Sequence, residues 1–260
     1  LSKAEYDQTN DGVYSFRVIV KDIVGNTSVR QITKIDLNTS INRKPTIRFD
    51  NVIRTNRTLK EMNEYIELHP DANIVEMDTV IGTSGGKGGK CFLTLLFRQY
   101  NFMLIYLLPY KKSRYVTEIF NQLKQLLGIV EFKRLFEVIL TDNGTEFSDP
   151  ESIEFDMNTG EKICSVFYCD PNCSWQKGSI EKNHEYIRYI LPKGTSFASL
   201  TQDDCYLIAS HINSTPRLSL NNHSPYEASL LFLGNDNINK FKIKKIDYDD
   251  IDLSYRLLRK

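Results

Sequence analysis

Three apolar runs of strand length follow one another with only short polar connections between them: 74–81 (IVEMDTVI), 91–97 (CFLTLLF) and 102–108 (FMLIYLL). Runs of this length bounded by turn residues read as buried strands. Short connections force neighbouring strands to run antiparallel, because a parallel crossover needs a dozen or more residues. The three therefore form a meander. After it the pattern changes. Val116, Ile119, Phe120, Leu123, Leu126 and Leu127 recur at helical spacing over 113–127, with Ser113 as cap and Gly128 as stop. Residues 136–140 and 163–168 read as two further strands. Helices are expected over 178–190, ended by Pro192, over 202–213 and over 225–232. Another helix precedes the meander at 58–68, where Thr58 and Glu61 form a capping box and Leu59, Met62, Tyr65 and Ile66 share one face. Strands that begin antiparallel and then alternate with helices give an α/β fold: a mixed five-stranded sheet flanked by helices.

The two ends read differently from this core, which is placed at 58–235. In residues 1–57, Tyr14, Phe16, Val18 and Val20 alternate with polar positions at strand period, and Gly25-Asn26 reads as a turn. This N-terminal segment is expected to be small and β-rich or irregular. Residues 42–57 carry Arg43, Lys44, Arg48, Arg54 and Arg57, and read as a solvated linker or an arm facing nucleic acid. Residues 236–260 are expected to form a C-terminal tail.

Lys plus Arg and Asp plus Glu both number 33, so the chain is formally neutral. That excludes a generally basic nucleic-acid glue but leaves room for a local basic face. Five scattered cysteines, an odd number, suit a reduced cytoplasmic protein better than a disulfide framework. No apolar run approaches the roughly 20 residues of a membrane span. The polar start at Leu1 reads as lacking a secretory leader.

Three carboxylates fall where this topology can bring them together. Asp78 lies late in the first core strand, Asp142 just past the fourth, and Glu181 in the first turn of the following helix. Singly, each has a plain structural explanation: Asp at a strand end forms turns, and Glu in a first helical turn suits the dipole. Together they suggest a centre for divalent metal. Mg²⁺ prefers carboxylate oxygen, and a pair of such ions clamps the attacking and leaving oxygens of a phosphoryl displacement.

Several longer blocks carry a family likeness. They are VEMDTV around Asp78, ILTDNGTEF around Asp142, FYCDP at 167–171, and SWQKGSIEKNH at 174–184. Further along come RYILPKG from Arg188, HIN with Pro216-Arg217, and SPYE from Ser224. In these blocks the chain resembles bacterial DDE transposases of the insertion-sequence-thirty type, within the retroviral-integrase-like superfamily. The resemblance implies a ribonuclease-H-like catalytic core that cuts and joins DNA, with two Mg²⁺ or Mn²⁺ ions held by Asp78, Asp142 and Glu181. It implies DNA as partner (transposon ends and target), a homo-oligomer, no membrane, and a bacterial cytoplasmic location at the nucleoid. Arg188 follows Glu181 by two helical turns, where the superfamily places a basic residue facing DNA. The rival reading is a catalytically silent remnant that still binds DNA.

Two departures stand out. No helix-turn-helix region is visible ahead of the core, and residues 11–28 look instead like strands of immunoglobulin-like surface repeats. The 38 residues between Asp142 and Glu181 are a few more than usual for the family, and the excess falls in the polar loop 148–161.

The remaining candidates are weaker. Lys177, Lys182, Arg188 and Lys193 make a local basic patch suited to phosphate contacts. Asn143 and His184 stand as supporting residues behind the carboxylates, with Asn143-Gly144 as the turn that presents Asp142. Glu76, two residues before Asp78 on the same strand face, reads as structural or electrostatic, and Glu146 as a loop acid or a supporting one. The glycine-rich 85–90 stretch fails the phosphate-loop pattern, because Cys91 stands where Ser or Thr is needed; Lys87 and Lys90 could still touch DNA. Cys164, Cys169 and Cys173 with His184 lack zinc-site spacing. Trp175 and Tyr186 are expected to pack the active-site loop or to stack on DNA bases, with packing favoured for Trp175.

Overall fold

The computed structural model describes residues 12–21, 27–37, 46–47, 53–83, 89–171 and 173–258. The chain divides into two units, Leu1–Asn56 and Arg57–Lys260. In the first, β1 (Gly12–Lys21) pairs antiparallel with β2 (Thr27–Leu37), and β2 with the two-residue β3 (Thr46–Ile47). The register shifts between Tyr14 and Ser15, where Lys34 is the extra residue of a bulge. The Gly25-Asn26 turn and most of the basic 42–57 stretch lie outside the described residues.

The second unit opens with α1 (Leu59–Leu68), whose start is the expected capping box: Glu61 N–H donates to Thr58 Oγ1, and Thr58 N–H to Glu61 Oε2 at 2.6 Å. The meander follows as β4 (Ile74–Ile81), β5 (Cys91–Phe97) and β6 (Phe102–Leu108). Every residue of β5 is buried, as its unbroken apolar run requires. Then come α2 (Ser113–Leu127), α3 (Ile129–Leu135), β7 (Val138–Thr141), α4 (Pro150–Glu154) and β8 (Ser165–Tyr168). The chain closes with α5 (Gly178–Ile190), α6 (Gln202–Ser214) and α7 (Pro225–Lys240), the last broken at Gly234.

The sheet order is β6-β5-β4-β7-β8. β5 is antiparallel to β4 and β6, while β4, β7 and β8 run parallel. This is the ribonuclease-H-like mixed sheet, with helices on both faces. On one face Phe97, Phe120, Phe132 and Phe136 interlock, Phe132 stacking on Phe136 at 4.9 Å between ring centres. Each fully buried ring contributes roughly 1.5–3 kcal/mol of transfer free energy. On the other, Met62 of α1 packs with Ala72, Val138, Leu140, Phe167 and Cys169.

The two edges need cover, since an open edge strand presents unpaired backbone groups. At β6 the cover is α6. Asn213 accepts Met103 N–H and donates to Met103 O, both at 2.8 Å. Gln202 does the same for Leu107 N–H and Ile105 O, at 2.7 and 2.9 Å.

The structure corrects or adds to the expected elements at four places. Ser113 is the first helical residue rather than the cap; the N-cap is Lys112, which makes no side-chain cap bond. Gly128, at φ 79°, ends α2 as expected, but an unexpected further helix follows it at once over 129–135. The polar loop 148–161 holds α4, whose buried Glu154 pairs with Arg57 at 2.7 Å. The 225–232 helix is broken at Gly234 (φ 74°), and a second helical stretch then runs to Lys240, past the expected start of the tail at 236.

Candidate active site

β4 and β7 run parallel, and their last paired step joins Glu76 to Leu140. Asp78 and Asp142 each lie two residues further on, so equal advance along parallel strands carries both to one place. Thr141 ends β7 and donates its hydroxyl to Met77 O at 3.1 Å. Asp142 is therefore the first residue beyond the carboxyl end of a parallel strand, where open α/β sheets form their binding crevice.

The two carboxylates are held alike. Thr79 N–H donates to Asp78 Oδ1 at 2.7 Å, and Gly144 N–H donates to Asp142 Oδ1 at 2.8 Å. The remaining oxygens face a single ammonium. Lys177 Nζ lies 3.2 Å from Asp78 Oδ2 and 3.4 Å from Asp142 Oδ2. It also donates to Met77 O at 3.4 Å, so three acceptors surround its three N–H groups. The Lys177 side chain is 3% exposed, against 18% for Asp78 and 46% for Asp142. Burial pulls the lysine pKa down, but the Asp78 and Asp142 charges and the hydrogen bond to Asp78 outweigh it and hold it above the ordinary value.

Gly144 has an ordinary φ of −60°, and the space beside it is taken by one side chain. A Cβ there would lie 2.6 Å from Glu146 Oε2. Glu146 is buried, accepts from Thr79 Oγ1 at 2.8 Å and pairs with Lys111 at 3.0 Å. Thr79 thus serves both turns, its amide on Asp78 and its hydroxyl on Glu146. Asn143 donates Nδ2 to Cys169 O at 2.9 Å, tying the Asp142 turn to the residue after β8.

Helix α5 is seated by the sheet. Its N-cap, Lys177, makes no side-chain cap bond. Instead the buried Glu76 reaches up from β4, accepting Ile180 N–H at 2.7 Å with one oxygen and Arg98 Nε–H at 2.7 Å with the other. Glu181 then stands in the first turn with its side chain exposed, one helical turn after Lys177. Among the described residues Asp78 and Asp142 are brought together, and no three His, Cys, Asp or Glu side chains converge as a metal-binding group. His184 hydrogen-bonds Thr94 Oγ1 through Nε2 at 2.8 Å, and that hydroxyl lies 3.1 Å from Asp78 O. Burial pushes the His184 pKa down to about 4, so the ring is neutral near pH 7.

Of the basic patch, Lys182 and Lys193 are exposed. Arg188 donates to Ile81 O at 3.1 Å, fastening the far end of α5 to the end of β4. Lys90 donates to Leu200 O at 2.7 Å, while Lys87 lies outside the described residues. Trp175, favoured to pack, is 71% exposed: the one-turn 3-10 helix Ser174–Lys177 faces Lys177 inward and Trp175 outward. Tyr186 packs under the Arg217 guanidinium at 3.7 Å. The pairing of Lys177 with both aspartates and the capping by Glu76 escaped sequence reasoning. Their one local signal was position: Lys177 is a turn before Glu181, and Glu76 shares a strand face with Asp78.

The donor chemistry at the pair suits a hard divalent cation. Two carboxylate oxygens from separate strands already face one positive charge, and a lysine ammonium is a stand-in for such an ion.

No protein-family model matches the chain. Curated relatives do. The chain is 31% identical to the transposase for insertion sequence element IS4351 of Bacteroides fragilis over 170 residues, 65% of this chain and 48% of that protein. It is 34% identical to the transposase for insertion sequence element IS1086 of Cupriavidus metallidurans over 101 residues, 39% of this chain and 28% of that one. With transposase InsI for insertion sequence element IS30A of Escherichia coli K12 it shares 37% identity over 86 residues, 33% of this chain and 21% of the relative. The chain is related to insertion-sequence transposases. Those of the insertion-sequence-thirty type are among them. It spans less than half the length of each of these three relatives. Among solved structures, the catalytic core domain of BIV integrase is similar at TM-score 0.44 and 16% identity, covering 61% of this chain and 93% of that one. A simian T-cell lymphotropic virus intasome in complex with PP2A regulatory subunit B56 gamma is similar at TM-score 0.45 and 15% identity, covering 60% and 53%.

Proposed function

We propose that this chain carries the strand-cutting and strand-joining centre of a DNA transposase, with Asp78, Asp142 and Glu181 as its acidic residues. One observation carries the reading: Asp78 and Asp142, far apart in sequence, direct one oxygen each at a shared cation beside the carboxyl ends of parallel strands. The likeness to named transposases supplies the substrate class.

Asp78 and Asp142 would hold Mg²⁺ or Mn²⁺, with Glu181 completing a two-ion set from α5. When bound, such ions supply the charge that steadies the attacking and leaving oxygens of an in-line phosphoryl displacement. The chain's own residues do the positioning. The amides of Thr79 and Gly144 fix which oxygen of each aspartate faces inward. Glu76 sets the height of α5, and so of Glu181. Exposed Lys182 lies on α5, with exposed Lys193 and Trp175 flanking it, and the lysines suit phosphate contacts while the indole suits stacking on a base. Water is the first nucleophile, and a DNA 3′-hydroxyl the second. The partners are transposon ends and target DNA, the working form is at least a dimer, and the location is the bacterial cytoplasm. Among the described residues no helix is long and apolar enough to cross a membrane.

The test is strand cleavage and transfer with oligonucleotides bearing the transposon ends, in Mg²⁺ or Mn²⁺. Asp78→Asn, Asp142→Asn and Glu181→Gln should each abolish both steps while leaving the fold intact by circular dichroism. Full activity in any of the three removes that residue from the assignment. DNA binding without cleavage by the unmodified chain would leave the silent-remnant reading in its place.

A further inference from the structure

Among the described residues, Lys177 buries its side chain against two acids. A lysine is seldom 97% covered, and here it is covered against the two residues assigned above to cation binding. It meets both aspartates through the oxygens that the backbone leaves free. Two carboxylates this close to one another repel unless a positive charge stands between them. We infer that Lys177 is an internal competitor for the cation position between Asp78 and Asp142, so that a divalent ion binds the pair only as the ammonium leaves. This rests on the reading of Asp78 and Asp142 as cation-binding residues.

Three features make the exchange feasible. Lys177 sits at the junction between the 3-10 turn Ser174–Lys177 and α5, so its four-carbon stem can swing without unwinding the helix. Its third contact, Met77 O, is a neutral carbonyl and holds it weakly at 3.4 Å. The nearby Asp142 carboxylate is half-exposed, which gives an incoming ion a route. The displaced ammonium stays within a side-chain length of the crevice, where a phosphate is a natural partner. The lysine thereby offsets one of the pair's two negative charges when no ion is bound and offers a positive charge beside the pair when one is.

The experiment is Mn²⁺ binding to the full chain, read by electron paramagnetic resonance of free Mn²⁺ and by thermal melting, for the unmodified protein, Lys177→Met, Lys177→Arg and Asp78→Asn. Lys177→Met should bind Mn²⁺ about tenfold more tightly, having lost the competitor. It should also melt lower without metal and rise further with it. Lys177→Arg, which keeps the charge, should stay within about threefold of the unmodified affinity. Equal or weaker Mn²⁺ binding by folded Lys177→Met overturns the inference. If that variant fails to fold, Lys177→Gln carries the same test. Mn²⁺ binding that is equal in both proteins and lost in Asp78→Asn sinks the competitor role alone and leaves the proposed function standing. No Mn²⁺ binding by any of them at millimolar concentration sinks both.

Discussion

Glu76 Oε2 accepts the backbone N–H of Ile180 at 2.7 Å, so a carboxylate on the central strand caps the helix that presents Glu181. A helix N-terminus leaves amide N–H groups without partners, and its dipole favours negative charge there. The second Glu76 oxygen is held by Arg98 Nε–H at 2.7 Å, and Arg98 also donates to Gln176 O at 3.4 Å. Strand, helix start and the preceding 3-10 turn are thus joined through one acid, two residues from Asp78.

Glu76→Gln keeps the shape and removes the charge. It leaves Arg98 facing a neutral amide at a buried site and weakens the cap, costing roughly 2–3 kcal/mol. Urea denaturation followed by circular dichroism measures this as a lower midpoint at unchanged slope. An unmoved midpoint would show that the cap carries no net stability.

Gly144→Ala introduces a Cβ where Glu146 Oε2 already stands, at 2.6 Å. Either the Glu146 carboxylate gives way, loosening its bonds to Thr79 and Lys111, or the Asp142 turn shifts, and strand cleavage should fall by about a hundredfold, since catalysis is sensitive to displacements near an ångström. Glu146→Ala in the same chain removes the obstacle, so the double variant should be more active than Gly144→Ala alone. Additive losses in that comparison would rule out the steric cause.

Asn213→Leu deletes the amide that satisfies both backbone groups of Met103 on the edge strand β6. Two buried polar groups are then unpartnered, at a cost of roughly 3 kcal/mol. Thermal melting should show the loss, and it should exceed that of Gln202→Leu, whose side chain is only partly buried. A melting temperature equal to the unmodified protein's would refute this account of the edge.

The His184 ring resists protonation in the folded chain, with its pKa pushed down to about 4 by burial. An unfolded histidine titrates near 6.5. Between those values the unfolded chain binds the extra proton, so stability is complete above about pH 6.5 and declines as the pH falls toward about 4. Denaturant midpoints taken at pH 7, 6 and 5 should fall in sequence, before most carboxylates titrate. His184→Gln should flatten that interval, and an unchanged slope in the variant would assign the decline to another group.

Elements and their limits were legible because the forces that set them are short-range. Hydrophobic period and stop residues place β4, β5, β6, α2 and α5 at the boundaries found in the structure. The shortfalls also have local causes. Helix α3 follows directly on Gly128, which reads as a stop, and α4 lies in a stretch too polar to show a period. Trp175 stands exposed although an isolated indole reads as core, because nothing in the sequence around it says which side of a one-turn 3-10 helix faces out.

Residue order therefore determined the strands, the helices, their succession and the stretch of strand on which each acid sits. The fold decided which polar groups meet. Lys177 reaches Asp142 across 35 positions, Glu76 reaches Ile180 across 104, and Asn213 reaches Met103 across 110. Such pairs form because burial strips charged and polar groups of water and obliges each to find whatever partner the packed sheet and helices bring within reach. No periodicity along the chain encodes that choice.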